Sequence, residues 1–262
     1  MKHQEFAKIL ENKKIAPEHF RITLASPKIA RESLPGQFIM IKVTDGTDPL
    51  LRRPISFHKI DRDKGTVDIL FKVIGKGTRL LSEIEPGEDL DVIGPLGNGF
   101  KIDATKELAI LVGGGAGVAP LLSLAKELKT KVKAVYALIG ANNINSVLCE
   151  EELKALGAET VVSTDDGTYG IKGMVTEVLL DVIGSKLSPI NSCIYACGPR
   201  PMVKELGSIS AQYKISCQVS LEEWMACGTG ACNGCIVKMK SGYKKVCSDG
   251  PIFNVGELVW QR

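Results

Sequence analysis

The chain has 262 residues, of which 44% are hydrophobic and 24% charged, and a formal net charge of +3. That length exceeds one ordinary domain of roughly 150 residues and predicts two, with room for a small third segment. The positive charge forms no block of like sign and no apolar run approaches the roughly 18 residues of a membrane span, so neither electrostatic capture of nucleic acid or an anionic membrane nor a membrane span is indicated.

The N-terminal stretch MKHQEFAKILENKK mixes charges of both signs, without an uninterrupted apolar segment or a small-residue cleavage site. No secretory signal is expected, and a cytoplasmic location follows. In a reducing compartment the eight cysteines point to metal ligation or redox chemistry rather than to structural disulfides.

Residues 1–102 read as short strands: HFRITLAS, GQFIMIKV, RPISFHKI, TVDILFKVI and EDLDVIGP. In TVDILFKVI the apolar Val67, Ile69, Phe71 and Val73 alternate with more polar neighbours, the period of a half-buried strand. Turn signals such as LPGQ and DRDKG separate the runs, which predicts an antiparallel β-barrel. Within it, RRPIS (52–56) offers Arg53 for a bidentate phosphate contact and Ser56 for a hydrogen bond to a flavin edge. GKGT (75–78) offers backbone amides and the Thr78 hydroxyl to a pyrophosphate, although by itself it reads as a hairpin turn.

From residue 103 to 214 the rhythm becomes strand, glycine turn, helix. ELAILV precedes GGGAGVAP and LLSLAKELKT, and VKAVYALIG, ETVVSTDDG and SCIYACGP each precede a helical stretch. Apolar strands alternating with helices predict a doubly wound α/β domain around a parallel sheet. GGGAGVAP sits between strand and helix, where a glycine loop can cradle a pyrophosphate; Gly115 and Gly117 fit, and Pro120 is allowed in a first helical turn. The alternative is a tight turn without a ligand. LIGANN, at the end of the next strand, carries no arginine or lysine for a 2′-phosphate, which favours NAD over NADP. Cys197, in YACGPRPM, falls at the carboxyl end of a late strand.

Residues 215–262 return to strands around Cys227, Cys232, Cys235 and Cys247, spaced C-x4-C-x2-C-x11-C. The first three match plant-type 2Fe-2S ferredoxins, with Gly228, Gly230 and Gly234 letting the backbone wrap the cluster. A zinc knuckle is the alternative, but structural zinc sites usually present two close cysteine pairs, and here the fourth cysteine stands alone. Cys149, Cys193 and Cys217 read as core or surface thiols, and His3, His19 and His58 carry no chemistry. No acid–base dyad is expected.

The order RRPIS, GKGT, GGGAGVAP, CGPRPM, CGTGACNGC resembles the ferredoxin–NADP reductase superfamily with a C-terminal 2Fe-2S extension. More narrowly, the whole chain is similar to the electron-transfer subunits of class 1B dihydroorotate dehydrogenases. The resemblance implies a barrel that holds FAD through Arg53, Pro54, Ile55, Ser56, Leu70, Phe71, Lys72, Gly77 and Thr78. It implies NAD at the Gly115 and Gly117 loop with Cys197 and Gly198 near the nicotinamide, and a 2Fe-2S cluster on Cys227, Cys232, Cys235 and Cys247. It also implies a partner, an FMN-containing dihydroorotate dehydrogenase catalytic subunit, in a heterotetramer of two plus two, with electrons passing from FMN through 2Fe-2S and FAD to NAD+ in pyrimidine biosynthesis. Two further readings are a subunit of an NADH-dependent ferredoxin:NADP or sulfide oxidoreductase, and a zinc-stabilised nucleotide-binding module without enzyme activity.

Overall fold

Alternating apolar and polar residues build the first part of the chain. In the computed structural model, which describes residues 2–185 and 191–260, six antiparallel strands close a barrel: β1 (His3–Ala16), β2 (His19–Ala25), β3 (Phe38–Ile41), β4 (Arg53–Asp61), β5 (Thr66–Lys72) and β6 (Asp89–Leu96), in the order β1-β2-β5-β4-β3-β6. Positions 1 and 261–262, the outer limits of the first and third predicted segments, lie outside the described residues. The barrel interior holds Ile39 and Ile41 of β3, Ile55 and Phe57 of β4, and Ile69 and Phe71 of β5. Because successive side chains on a strand point to opposite faces, Phe38, Met40, Pro54, Ser56 and Leu70 lie on the outer face.

Two elements here differ from the sequence reading. β1, fourteen residues long, was hidden in the charge-rich N-terminus because only Ala7 and Ile9 along it are buried. GKGT, read as a hairpin turn, opens a helix instead. Short helices α1 (Pro27–Glu32) and α2 (Lys76–Glu83) follow β2 and β5.

The parallel part follows the predicted alternation of β7 (Leu108–Gly114), α3 (Ala119–Leu128), β8 (Ala134–Ala141), α4 (Glu150–Ala155), β9 (Glu159–Thr164), β10 (Ile171–Lys172), α5 (Val175–Ser185), β11 (Ser192–Cys197), α6 (Arg200–Tyr213) and β12 (Ser216–Ser220). After it come a two-stranded ribbon of β13 (Ile236–Met239) and β14 (Gly242–Lys245), and then β15 (Ile252–Asn254). The sheet runs β10-β9-β8-β7-β11-β12-β15, parallel except for β15, which pairs antiparallel to β12. The chain winds outward from β7 to β9 and then crosses back to β11. The carboxyl ends of β7 and β11 therefore flank the point where strand order reverses, the usual ligand position of open α/β sheets.

The chain divides into two compact units. One holds the described residues up to Gly99 together with Glu222–Val237 and Lys244–Pro251; the other holds Phe100–Leu221, Lys238–Tyr243 and the described residues from Ile252 on. Residues 215–262, expected as a third segment, are thus shared between the two. Among the described residues no helix is long and apolar enough to cross a membrane.

Candidate cofactor-binding sites

In the barrel unit, β3 and β4 form a ribbon whose register pairs Phe38 with Ser56, Met40 with Pro54 and Ile41 with Arg53. Cross-strand partners share a face, so Pro54 and Ser56 present their side chains on the outer surface beside Met40 and Phe38. On β5, Leu70 and the exposed Lys72 face outward as well, whereas Phe71 points inward. Ile55 and Phe71 belong to the core, and only their backbone groups can meet a ligand on the outer face.

The two arginines of RRPIS part company. Arg52 donates to the Asp91 carbonyl at 2.8 Å and to its carboxylate at 2.5 Å, and this joins the loop before β4 to β6. Burial alone would raise the Asp91 carboxyl, but hydrogen bonds from Arg52 and Gln4 outweigh it and hold that carboxyl below the usual range. Arg53 instead turns its guanidinium across Gly77, where a Cβ would fall 2.6 Å from Cζ, while Nη1 donates to the Leu51 carbonyl. Only glycine leaves that space.

Gly77 lies in the first turn of α2, where the amides of Lys76, Gly77 and Thr78 have no carbonyl four residues back within the helix. The Thr78 hydroxyl is engaged locally. It accepts from the Ile74 and Gly75 amides at 3.0 and 3.2 Å and donates to the Gly75 carbonyl at 3.1 Å. A helix start whose first amides lack intrahelical partners, with one guanidinium beside it, suits a pyrophosphate dianion. These residues fit a dinucleotide such as FAD.

In the α/β unit, Gly113, Gly114 and Gly117 are required by packing. A Cβ at 113 would meet Val118 Cα at 2.8 Å, one at 114 would meet Pro199 Cδ at 2.8 Å, and one at 117 would meet the Cys197 carbonyl carbon at 2.6 Å. Gly115 differs: its φ is +55° and a Cβ there would meet nothing within 4 Å. The loop is thus both a tight βα turn and an open approach to the turn Gly115–Val118 that leads into α3. Cys197 and Gly198 stand at the end of β11, with Cys197 paired to Gly113 of β7 and buried. This arrangement at the strand-order reversal fits a dinucleotide pyrophosphate. Cys193 and Cys217 are buried in the same sheet, and burial pushes both thiols up.

The four spaced cysteines all lie in the barrel unit. Backbone amides aim at their sulfurs: Thr229 at Cys227 Sγ, Gly234 at Cys232 Sγ and Cys247 at Cys235 Sγ, each at 3.4 Å. Burial raises the Cys227 thiol, but hydrogen bonds from Thr229 and Cys232 overcome it and bring it down to about 5. Cys247 is pushed up to about 12 by burial and by Cys235 beside it. Four cysteine sulfurs, three of them already met by backbone amides, fit a two-iron cluster held by four thiolates.

A family profile described as the iron-sulfur cluster binding domain of dihydroorotate dehydrogenase B matches residues 222–259. An oxidoreductase NAD-binding domain matches 111–207, and an oxidoreductase FAD-binding domain matches 7–100. A relative from Geobacillus thermodenitrificans, named dihydroorotate dehydrogenase B (NAD(+)), electron transfer subunit, is 42% identical over 256 residues, 96% of this chain and 96% of that one. The chain belongs to this electron transfer subunit family. A relative from Desulforamulus reducens with the same name is 38% identical over 97% of this chain and 98% of its own. Family membership makes the chain an NAD-dependent flavin and iron–sulfur oxidoreductase subunit, and the zinc-stabilised module is set aside.

Among solved structures, one reported for an NADH-dependent reduced ferredoxin-NADP oxidoreductase superposes with a TM-score of 0.88 at 31% identity, covering 98% of this chain and 90% of that one. A ferredoxin NADP+ reductase from Neisseria gonorrhoeae superposes with a TM-score of 0.70 at 19% identity, over 80% of this chain and 91% of its own, and shows the shared fold alone. The three matched domains span the stretches RRPIS, GKGT, GGGAGVAP, CGPRPM and CGTGACNGC. What the motifs did not reveal is the division of labour between Arg52 and Arg53 or the seat of the cysteine loop, for which no local signal exists.

Proposed function

We propose that the chain is the electron-transfer subunit of a cytoplasmic dihydroorotate dehydrogenase, taking electrons from an FMN-containing catalytic subunit in a heterotetramer of two plus two and delivering them to NAD+ in pyrimidine biosynthesis. Functionally the chain divides into a flavin barrel (1–102), a nucleotide domain (103–214) and a cluster segment (215–262). Bound 2Fe-2S exchanges single electrons and bound FAD exchanges single electrons or a hydride, which suits a path from a one-electron donor to a nicotinamide.

The protein's own residues bind and orient. Arg53 and the amides of Gly77 and Thr78 hold the FAD pyrophosphate, and Pro54, Ser56, Leu70 and Lys72, with the backbone of Ile55 and Phe71, flank the flavin. Gly115 and Gly117 admit the NAD pyrophosphate, and Cys197 and Gly198 stand beside the nicotinamide. Cys227, Cys232, Cys235 and Cys247 hold the cluster. The observation that carries this reading is the placement of all four cysteines in the same compact unit as the outer face of Pro54 and Ser56.

The test mixes the purified holo-chain with an FMN catalytic subunit, dihydroorotate and NAD+. NADH should form from the mixture and from neither component alone; dihydroorotate oxidation by this chain alone would contradict the reading. A second reading, the flavin and iron–sulfur subunit of an NADH-dependent ferredoxin:NADP oxidoreductase, is favoured by the 31% identical structural relative. It predicts instead that the chain remains inert with the dihydroorotate-oxidising subunit and becomes active with an NADP-binding one.

A further inference from the structure

Between the first two ligand cysteines, Gly228 has a φ of +69°, and a Cβ there would fall 2.5 Å from Met40 Cγ and 3.0 Å from Met40 Sδ. The cysteine loop therefore lies with its backbone flat on the Met40 side chain, which is fully buried on the outer face of β3. Met40 is the cross-strand partner of Pro54, in the middle of RRPIS, and partners in such a ribbon have Cα atoms about 5 Å apart. One strand of the ribbon seats the cysteine loop and the next carries the flavin motif.

A second anchor lies beyond the last ligand. Asn98, just after β6, donates its side-chain amide to the carbonyls of Ser248 at 3.2 Å and Asp249 at 2.9 Å, and its backbone amide to Gly250 at 2.6 Å. Beside it, a Cβ at Gly97 would meet Pro251 Cδ at 2.5 Å and Phe38 Cε1 at 3.1 Å. The segment leaving Cys247 is thereby tied to the end of β6, whose residue Leu96 pairs with Phe38 of β3. One end of the cysteine loop rests on β3 through Met40, and the other is tied to the end of β6, the strand that pairs with β3.

We propose that Met40 and Asn98 are positioning residues that hold the iron–sulfur loop at a fixed separation from the flavin-binding strand β4, and so set the rate at which electrons cross between the two cofactors. The proposal rests on the assignment of the cluster and FAD to these sites. Neither residue touches reacting atoms or takes part in a bond change. Met40 acts as a packed spacer and Asn98 as a hydrogen-bonded tie. A thioether suits the spacer role because an unbranched side chain fills an irregular gap beneath a backbone. An asparagine suits the tie because its amide has two N–H donors for two carbonyls, which an aspartate cannot supply.

The experiment compares the holo-protein with Asn98→Ala, Asn98→Asp, Met40→Ala and Met40→Leu. Each is mixed anaerobically with NADH while flavin bleaching and then cluster bleaching are followed, and amide exchange is measured over 227–235 and 245–251. In Asn98→Ala and Asn98→Asp, flavin reduction should keep its rate while cluster reduction slows several-fold. Loop amides should exchange about tenfold faster, the effect of losing two hydrogen bonds of modest net strength. Met40→Ala should slow cluster reduction likewise, and Met40→Leu, close in volume, should restore it.

Wild-type cluster reduction together with unchanged loop exchange in both Asn98 variants would overturn the proposal. Should Met40→Ala lose its cofactors, the Asn98 variants decide the matter. Absence of flavin or iron from the wild-type protein would instead overturn the underlying cofactor assignment, a distinct failure visible before any variant is made.

Discussion

Arg53 and Gly77 occupy one space: the guanidinium lies where any side chain at 77 would have to stand, with Cζ 2.6 Å from the position of a Cβ. This contact brings two separate motifs, RRPIS and GKGT, together at one helix start, where the proposed function puts the FAD pyrophosphate. Gly77→Ala should still fold, because the displaced atoms are the far end of a flexible arginine. It should weaken FAD retention by roughly tenfold or more, the scale of a lost charge-assisted hydrogen bond. Arg53→Ala should do the same, and the double variant should be little worse than either, as FAD titration of the three apoproteins would reveal.

Arg52, next in the chain, has a structural task. Arg52→Ala should cost about 2 kcal/mol of barrel stability without changing FAD affinity, since it leaves the part-buried Asp91 carboxylate without its cation.

The same pair sets an acid dependence. Hydrogen bonds from Arg52 hold the folded-state Asp91 pKa below its ordinary carboxylate value despite the opposing pull of burial. The stabilisation is therefore present above that ordinary value, and is lost as pH falls through the depressed folded-state one. Denaturant titrations should show the gap between wild type and Arg52→Ala constant near neutrality and closing below about pH 4. A gap that stayed constant into strong acid would remove Asp91 from the account.

Cys232, the exposed one of the four spaced cysteines, should separate cluster from flavin function under the proposed assignment. Cys232→Ala should lose the cluster absorption and all dihydroorotate-driven NADH formation with the catalytic subunit, while NADH-driven dye reduction through FAD survives. Equal loss of both activities would mean that the cysteine loop also supports the flavin site.

Gly117 sits against the Cys197 carbonyl, so Gly117→Ala must push the loop away from the end of β11. Displacement of about 1 Å at such a site costs up to about a hundredfold in catalytic efficiency, so NADH oxidation should collapse while flavin and cluster spectra stay unchanged. Steady-state kinetics beside the visible spectrum would separate the two effects.

Trp224, three residues before Cys227, is 91% exposed. Under the proposed function, an exposed tryptophan so near the four cysteines suits an anchor for the catalytic subunit. Trp224→Ala should weaken that association by about 2 kcal/mol, roughly thirtyfold in Kd, and leave NADH-driven dye reduction intact. Unchanged affinity in a titration of the two subunits would place the interface elsewhere.

Most of the barrel strands and the βα units were legible because each writes its period locally, as Val67, Ile69 and Phe71 do on β5. β1 was not, since inward and outward positions alternate over His3–Leu10 but the apolar Phe6 and Leu10 face out while His3 and Glu5 face in, so its period is not written in apolar residues. The helix at GKGT escaped for a related reason: eight residues opening on glycines have weak helix propensity, and it is the barrel that packs Leu81 beneath them. The cofactor motifs were readable because their chemistry depends on short spacings, C-x4-C-x2-C above all.

What the sequence by itself carried was the motifs, four cysteines at a ferredoxin-like spacing, a glycine loop between strand and helix, and an arginine beside proline and serine, whose order resembles a family with FAD, NAD and 2Fe-2S. That Arg52 is spent on Asp91 while Arg53 lies over Gly77, and that the cysteine loop rests on Met40 and is tied by Asn98, were decided only by the tertiary structure. The physical reason is register. A spacing of a few residues is carried by local backbone geometry, whereas Gly228 meets Met40 only once six strands have closed and β3 presents alternate side chains to the outside.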